Sequence, residues 1–374
     1  MAHFPDSEWQ SITPGKAGFD EKLAQAMRAA ESLEINAPVN LAEMLPKGKR
    51  HPNDRPLGPL KPRGKPSGIV IRDGYIVASY GDVNSVEVTF SATKSYISAV
   101  AGLAWSRGLI TDLDQIVAAT VTDGGFGSAQ NASITWRHLL QQTSEWEGEL
   151  FGLPDWIDRG RQVGGSAAMS TTMSSNATVG GSASTANDYR ELQTPGTFWE
   201  YNDVRVNRTS LALLRLFKAL LPVVIKDNLM DRINSTETWQ WHGYETSWVD
   251  LDGQQVQSVS GGAHWGGGLW ISTLDHARFG LLYLNRGQWA GQEILPQDWI
   301  TESLKPCDKN PGYGFLWWLN HENSISSIAD TGAFAARGAG GNIVFVWPAR
   351  EIVIVLRWCA DTKKAIDGIL RCLE

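Results

Sequence analysis

Ser91-Ala92-Thr93-Lys94 sets a hydroxyl and an amine three residues apart at the head of an apolar run, Tyr96 to Trp105. In a helix, residues at that spacing share a face, so Lys94 stands one turn from the Ser91 hydroxyl. A serine hydroxyl becomes a nucleophile when a neighbouring base takes its proton. A lysine can be that base when burial or another cation lowers its hold on a proton, and the run that follows is apolar enough to bury it. A helix N-terminus adds unpaired N–H groups and positive partial charge, which favour an alkoxide and a neighbouring oxyanion. The same four residues also fit an N-cap serine followed by a solvated lysine. No other lysine in the chain has a serine three residues before it.

The rest of the composition bounds what such a site serves. At 374 residues, 42% hydrophobic and 20% charged, the chain has the make-up of one large or two intimately packed globular domains. Its net charge of −7 and lack of a basic block argue against a nucleic-acid partner. The 17 tryptophans suit a core and also pockets for apolar or ring-shaped ligands. Cys307, Cys359 and Cys372 form neither a disulfide framework nor a C-x-x-C metal site. The seven histidines are scattered and no H-E-x-x-H occurs, so no metal ligand set is expected. The opening residues lack a charged and then apolar leader, and no apolar run reaches a membrane span. The expectation is a cytoplasmic protein, off the membrane, acting on a small molecule without a cofactor; oligomeric state is open.

Several elements can position the pair. Glu21 to Leu33 has helical periodicity, and 36–66 reads as a long irregular segment rich in Pro, Lys and Arg. Gly68–Tyr80 reads as a hairpin turned by Asp73-Gly74. Val86–Phe90 leads as a strand end into the Ser91 helix. Residues 110–258 look mainly helical and irregular, and 164–187 is a Gly/Ser/Ala/Thr stretch that reads as a flexible insertion. Leu274–Arg286 and Lys363–Cys372 read as helices. Gly314–Leu319, Asn342–Trp347 and Glu351–Trp358 read as strands, the last two turned by Pro348-Ala349-Arg350. Strands at both ends and helices between imply an α/β (α+β) fold. One antiparallel sheet is built from both chain ends and flanked by helices. The expected domains are 1–115 plus 260–374, and a helical insertion domain, 116–259, with the cleft between them.

The order of these segments and four local strings resemble the serine β-lactamase and penicillin-binding-protein superfamily. The resemblance covers residues 65–360 and is nearest the class C-related branch with its family VIII carboxylesterases, D-specific peptidases and 6-aminohexanoate-dimer hydrolases. Ser91–Lys94 matches the S-x-x-K motif. Thr135–Ser144 resembles T-x-x-x-L-L-x-H-T-S. Pro195–Asp203 resembles P-G-x-x-F-x-Y-S-N, which carries the family's Y-x-N. Gly266–Gly280 resembles G-G-G-L-x-S-T-x-x-D-x-A-R-F-G. The resemblance implies Ser91 as acylated nucleophile, Lys94 as its proton acceptor and Tyr201 as the phenol that relays the proton to the leaving group and later activates water.

Two departures bear on substrate. Asp203 stands where the motif has asparagine, exchanging an amide donor for an acceptor-only carboxylate that can hold Lys94 or bind a cationic group. The third family motif, K-T-G or H-x-G, falls at Ala336-Arg337-Gly338 and lacks its lysine. Arg337 can replace it as an anchor for a carboxylate, or serve a structural ion pair. Gly338 and Gly340 would let backbone approach the substrate, and the N–H groups of Ser91 and Ala339 would form the oxyanion hole. Trp199 and His264 are further candidates for the cleft wall, within surroundings that include Trp146, Trp156, Trp265, Trp317 and Trp318.

No G-x-S-x-G elbow of an α/β-hydrolase is present. The favoured activity is hydrolysis of small carboxylic esters or amides through an acyl-enzyme. β-Lactam or D-peptide hydrolysis, which implies export, and a non-catalytic relative are the alternatives.

Overall fold

The computed structural model describes residues 3–44, 56–160, 190–262, 264 and 266–374. The 164–187 stretch, Trp265 and part of the 36–66 segment lie outside the described residues. The strands, in chain order, are β1 (Ser67–Arg72), β2 (Tyr75–Tyr80), β3 (Glu87–Val88), β4 (Glu149–Leu150), β5 (Leu153–Pro154), β6 (Gln240–Leu251) and β7 (Gln254–Val259). They continue with β8 (Gly268–Ile271), β9 (Gln288–Trp289), β10 (Gln292–Glu293), β11 (Trp318–Leu319), β12 (Phe334–Gly338), β13 (Asn342–Trp347) and β14 (Ile352–Arg357). The helices are α1 (Leu23–Ser32), α2 (Thr93–Ser106), α3 (Trp136–Leu140), α4 (Asp203–Phe217), α5 (Leu221–Ile225), α6 (Thr273–Leu284), α7 (Gln297–Ser303) and α8 (Thr362–Leu370).

The main sheet is antiparallel, in the order β11-β12-β13-β14-β1-β2, so both chain ends supply it as the sequence implies. β1 and β2 meet at Asp73-Gly74, where both residues have positive φ, 52° and 84°, as a type I′ hairpin requires. β13 and β14 are buried along their whole length. Such continuous apolar runs belong to strands covered on both faces. α6 lies directly on this sheet: a Cβ on Gly280 would come 2.7 Å from Val353 Cγ1 and 2.9 Å from Val344 Cγ1. α2 is buried through Ala104 and packs against α4 and β12.

A second sheet runs β3-β8-β6-β7. Its β6–β7 hairpin occupies 240–259, which reads in the sequence as mainly helical. The turn is Asp252-Gly253, with φ 52° and 86°, the same signal as Asp73-Gly74. Weak apolar alternation hides the strands, because β6 is largely exposed toward its C-terminal end. Arg357 joins the two sheets beneath the backbone that leads from β3 into α2. Its guanidinium is fully buried and donates to Asn342 Oδ1 (2.6 Å), Ile271 O (3.1 Å) and Val88 O (2.9 Å).

His276 on α6 makes a second strut. Its ring nitrogens lie 2.7 Å from Thr89 Oγ1 and 2.9 Å from the Tyr96 hydroxyl. Burial, and then the charge of Arg357, hold its pKa well below 6.5. The unfolded chain takes up a proton here near pH 6.5 and the native chain does not, so stability falls as pH drops through that value. We expect urea midpoints to decline from pH 8 to 5.5, with His276 contributing up to about 1.4 kcal/mol per pH unit. His276→Gln should flatten the decline, leaving the smaller contributions of His138 and His242, which burial also holds low. An equally steep decline in the variant would refute the assignment.

Candidate active site

Ser91 sits in a single 3-10 turn, Phe90–Ala92, between β3 and α2. The turn is entered through Phe90 at φ 48°, a left-handed conformation that costs a non-glycine residue on the order of 1 kcal/mol or more. Thr89 N donates to Leu269 O on one side (2.9 Å). On the other, Gly262 comes so close that a Cβ would meet Phe90 O at 1.9 Å. Two strands and a glycine loop thus hold the strained residue that aims Ser91.

Ser91 does not cap α2: the position before the helix is Ala92, without a side-chain cap. Instead Lys94 Nζ lies 2.9 Å from Ser91 Oγ, 3.3 Å from Gly261 O and 2.8 Å from Asp203 Oδ1. Lys94 is 1% exposed, so the solvated-lysine reading is set aside by geometry. Of the two roles open to Asp203, the structure supports the one that holds Lys94. Asp203 is the first residue of α4, where the helix dipole favours a carboxylate.

Tyr201 arrives from the Pro195-Gly196 turn, with Gly196 at φ 86°. Its ring centroid is 4.9 Å from Lys94 Nζ. The ring stacks on Trp318 at 5.7 Å and meets Tyr313 edge-on at 6.4 Å, while Trp199 reaches Tyr313 at 5.4 Å. These four rings form one wall. Burial, then the neighbouring Tyr201, push the Tyr313 hydroxyl well above its ordinary pKa, so it stays protonated and accepts a hydrogen bond from Gln142 Nε2 at 2.7 Å.

Gln142 is a residue that sequence reading passed over. It occupies the position of the histidine in the T-x-x-x-L-L-x-H-T-S string. Its backbone O accepts from Glu200 N (3.0 Å) and its Oε1 from Asn202 N (2.9 Å), so it grips both neighbours of Tyr201. Asn202 caps α4 by accepting from Arg205 N (3.1 Å). Behind this segment lies a buried ionic cluster in which Arg205 meets Glu145, Glu200 and Asp155, and Arg190 meets Glu145 and Glu200. Its acidic partners lie far apart in sequence, which left no local pattern to read.

The third-motif strand is β12. Arg337 is 5% exposed, its guanidinium 5.7 Å from the Trp318 ring centroid. Burial lowers its pKa to about 10, with Tyr201 acting the other way. Among the described residues its guanidinium has neither a carboxylate nor a hydrogen-bond acceptor, so the structural ion pair open to it in the sequence is not formed. The glycines have packing reasons. A Cβ on Gly338 would meet Thr89 O at 2.1 Å, so this residue lets β12 abut the Ser91 turn. A Cβ on Gly340 would meet the Trp358 ring at 2.7 Å, so its missing side chain makes room for that ring. Ala339 follows Gly338 and accepts from Asn342 Nδ2 through its carbonyl (2.6 Å).

His264 is buried, with Nε2 3.4 Å from Asp158 Oδ2. Of the other tryptophans, Trp317 packs in the core against Tyr283, Phe279 and Phe334. Trp146 is buried and donates to Gly125 O (2.7 Å). Trp199 and Trp318 alone, of those named, join Tyr201 in ring contacts among the described residues.

A model of the beta-lactamase family matches residues 69–360. Among solved structures, a penicillin-binding-protein homologue from Caulobacter crescentus superposes with a TM-score of 0.60 at 12% identity, covering 95% of this chain and 98% of that one. A family VIII carboxylesterase gives 0.58 at 15% identity, over 95% and 99%. EstCE1, described as a hydrolase with promiscuous acyltransferase activity, gives 0.58 at 14%, also over 95% and 99%. At such identities the likeness is one of fold. An uncharacterized protein of Alkalihalophilus pseudofirmus is 25% identical over 126 residues, which is 28% of this chain and 38% of that one. No helix among the described residues is long and apolar enough to cross a membrane. The family match runs through the Ser91 turn, the Tyr201 segment and the β12 strand, and the chain belongs to the beta-lactamase family, as a serine hydrolase in the general sense.

Proposed function

We propose that the chain hydrolyses small carboxylic esters or amides through an acyl-enzyme on Ser91. One observation carries this reading: Lys94 Nζ stands between Ser91 Oγ at 2.9 Å and Asp203 Oδ1 at 2.8 Å. Asp203 favours the ammonium form of Lys94, whose charge beside Ser91 Oγ stabilises the developing alkoxide without movement, and preorganised charge of this kind lowers a barrier. Ser91 Oγ attacks the carbonyl carbon while its proton passes to the Lys94–Tyr201 pair. The oxyanion rests on the N–H groups of Ser91 and Ala339. Tyr201 protonates the leaving alcohol or amine. Water, deprotonated by the same pair, then attacks the acyl carbon, and Ser91 departs with a proton as the acid is released.

Arg337 supports a substrate that carries an anionic group, because a buried guanidinium without a carboxylate partner gains most from one. Trp199, Trp318 and Tyr313 offer an aromatic wall beside it. Asp203, engaged by Lys94, gives no support to a cationic substrate.

The test is intact-protein mass spectrometry after mixing with a fluorophosphonate, a penicillin, and p-nitrophenyl esters with and without a terminal carboxylate. Ester adducts and turnover that vanish in Ser91→Ala are expected, with a preference for the carboxylate-bearing ester that Arg337→Met loses. A stable penicillin adduct on Ser91 would favour the β-lactam or D-peptide reading. Undiminished turnover by Ser91→Ala would end the proposal.

A further inference from the structure

We infer that His264 is a positioning residue for the Lys94–Asp203 pair and not a substrate ligand, an inference that rests on the Ser91 acyl-enzyme reading. The contacts form a closed ring. His264 Nε2 lies 3.4 Å from Asp158 Oδ2. That same oxygen accepts from Asp203 N at 2.9 Å, at the first turn of α4. Asp203 Oδ1 meets Lys94 Nζ at 2.8 Å, and Lys94 Nζ lies 3.3 Å from Gly261 O. Gly261 and His264 belong to one loop, between β7 and β8, so this loop reaches the lysine both directly and through two carboxylates.

The members of the ring come from four separate parts of the fold: α2, the 3-10 turn Asp155–Asp158, α4 and the β7–β8 loop. All four side chains are 5% exposed or less. His264 is also held at φ 52°, a strained conformation for a non-glycine residue, and such strain persists where the surroundings fix it. A ligand for substrate would face the cleft; this imidazole faces the carboxylate that receives the Asp203 N–H.

Asp158, Asp203 and His264 also offer three ligand atoms within 4.8 Å of one another, the spacing of a divalent-cation site. Lys94 already brings a cation to Asp203 at 2.8 Å, and an ion bound there would compete with it. The ring is therefore assigned to holding the lysine. Other titratable groups around it are Tyr244 and Tyr313, whose hydroxyls burial and then, to a smaller extent, the Asp203 charge push up, and Tyr201, whose ring centroid lies 4.9 Å from Lys94 Nζ.

The test measures the single-turnover acylation rate of Ser91 and KM for a p-nitrophenyl ester in the full chain. His264→Ala is expected to slow acylation about tenfold or more, since small misplacements of catalytic groups cost that much, with KM within about twofold of wild type. His264→Gln, which keeps a polar group beside Asp158 in place of the imidazole, should recover most of the rate. In an Asp158→Asn background, His264→Ala should add little. Three results would overturn the inference: a raised KM with an unchanged acylation rate, equal losses in both backgrounds, or activity lost to a chelator and restored by Zn²⁺. A wild type that never acylates removes both readings, whereas an acylating wild type with any of those results removes this one alone.

Discussion

Lys94→Met is expected to lower ester turnover by about 10³-fold or more, as removal of one member of a proton-transferring pair does in comparable machinery. Methionine keeps the bulk that α2 buries but withdraws the nitrogen that meets both Ser91 and Asp203. It also removes a buried cation from beside a buried carboxylate, and breaking such a pair from one side typically costs about 3–5 kcal/mol. Activity and stability should therefore both fall. Lys94→Met with Asp203→Asn separates them. The double variant should regain much of the stability, because the carboxylate's charge leaves with its partner, and none of the turnover. Urea unfolding and single-turnover acylation read the two quantities. Turnover in Lys94→Met within tenfold of wild type would remove the lysine from the mechanism.

The local parts of this site were legible because each is written in adjacent residues. The Ser91–Lys94 spacing, the Asp73-Gly74 turn and the Pro195-Gly196 approach to Tyr201 each encode geometry within a few positions. The apolar runs of β13 and β14 told the sheet's position. What stayed hidden depends on long-range contact. Gln142 and His276 act through side chains from segments 60 to 187 positions away. Gly338 and Gly340 invited a reading as open approaches for substrate, whereas their missing side chains make room for Thr89 and Trp358. The tryptophans divided between core and cleft only once the fold decided which faced Tyr201. The β6–β7 hairpin was the exception, since its Asp252-Gly253 turn was readable and its weakly apolar strands masked it.

The ionic cluster behind Tyr201 leads to the second large effect, on stability. Glu145, Glu200 and Asp155 are matched against Arg205, Arg190 and Arg159, and Arg205 touches all three acids. Burial opposes ionisation of Glu145, yet the hydrogen bonds of Arg190 and the charge of Arg205 outweigh it and hold its carboxyl below the usual range. A depressed carboxyl stabilises the fold above its unfolded pKa of about 4.3, and that stabilisation is lost as pH falls through the folded value. Arg205→Met keeps the stem's volume and leaves three buried carboxylates to two arginines, one cation short. The expected cost is about 3–5 kcal/mol near neutral pH. It should shrink as pH falls, because the carboxylates left without Arg205 take up protons more readily than in the wild type. Because Glu200 precedes Tyr201 and Gly160 N donates to Glu200 at 2.8 Å, the same variant should slow turnover even where it remains folded. Unfolding midpoints at several pH values decide it. A variant within about 1 kcal/mol of wild type at pH 7 would mean that the cluster contributes specificity of packing and little net stability, as some buried ion pairs do.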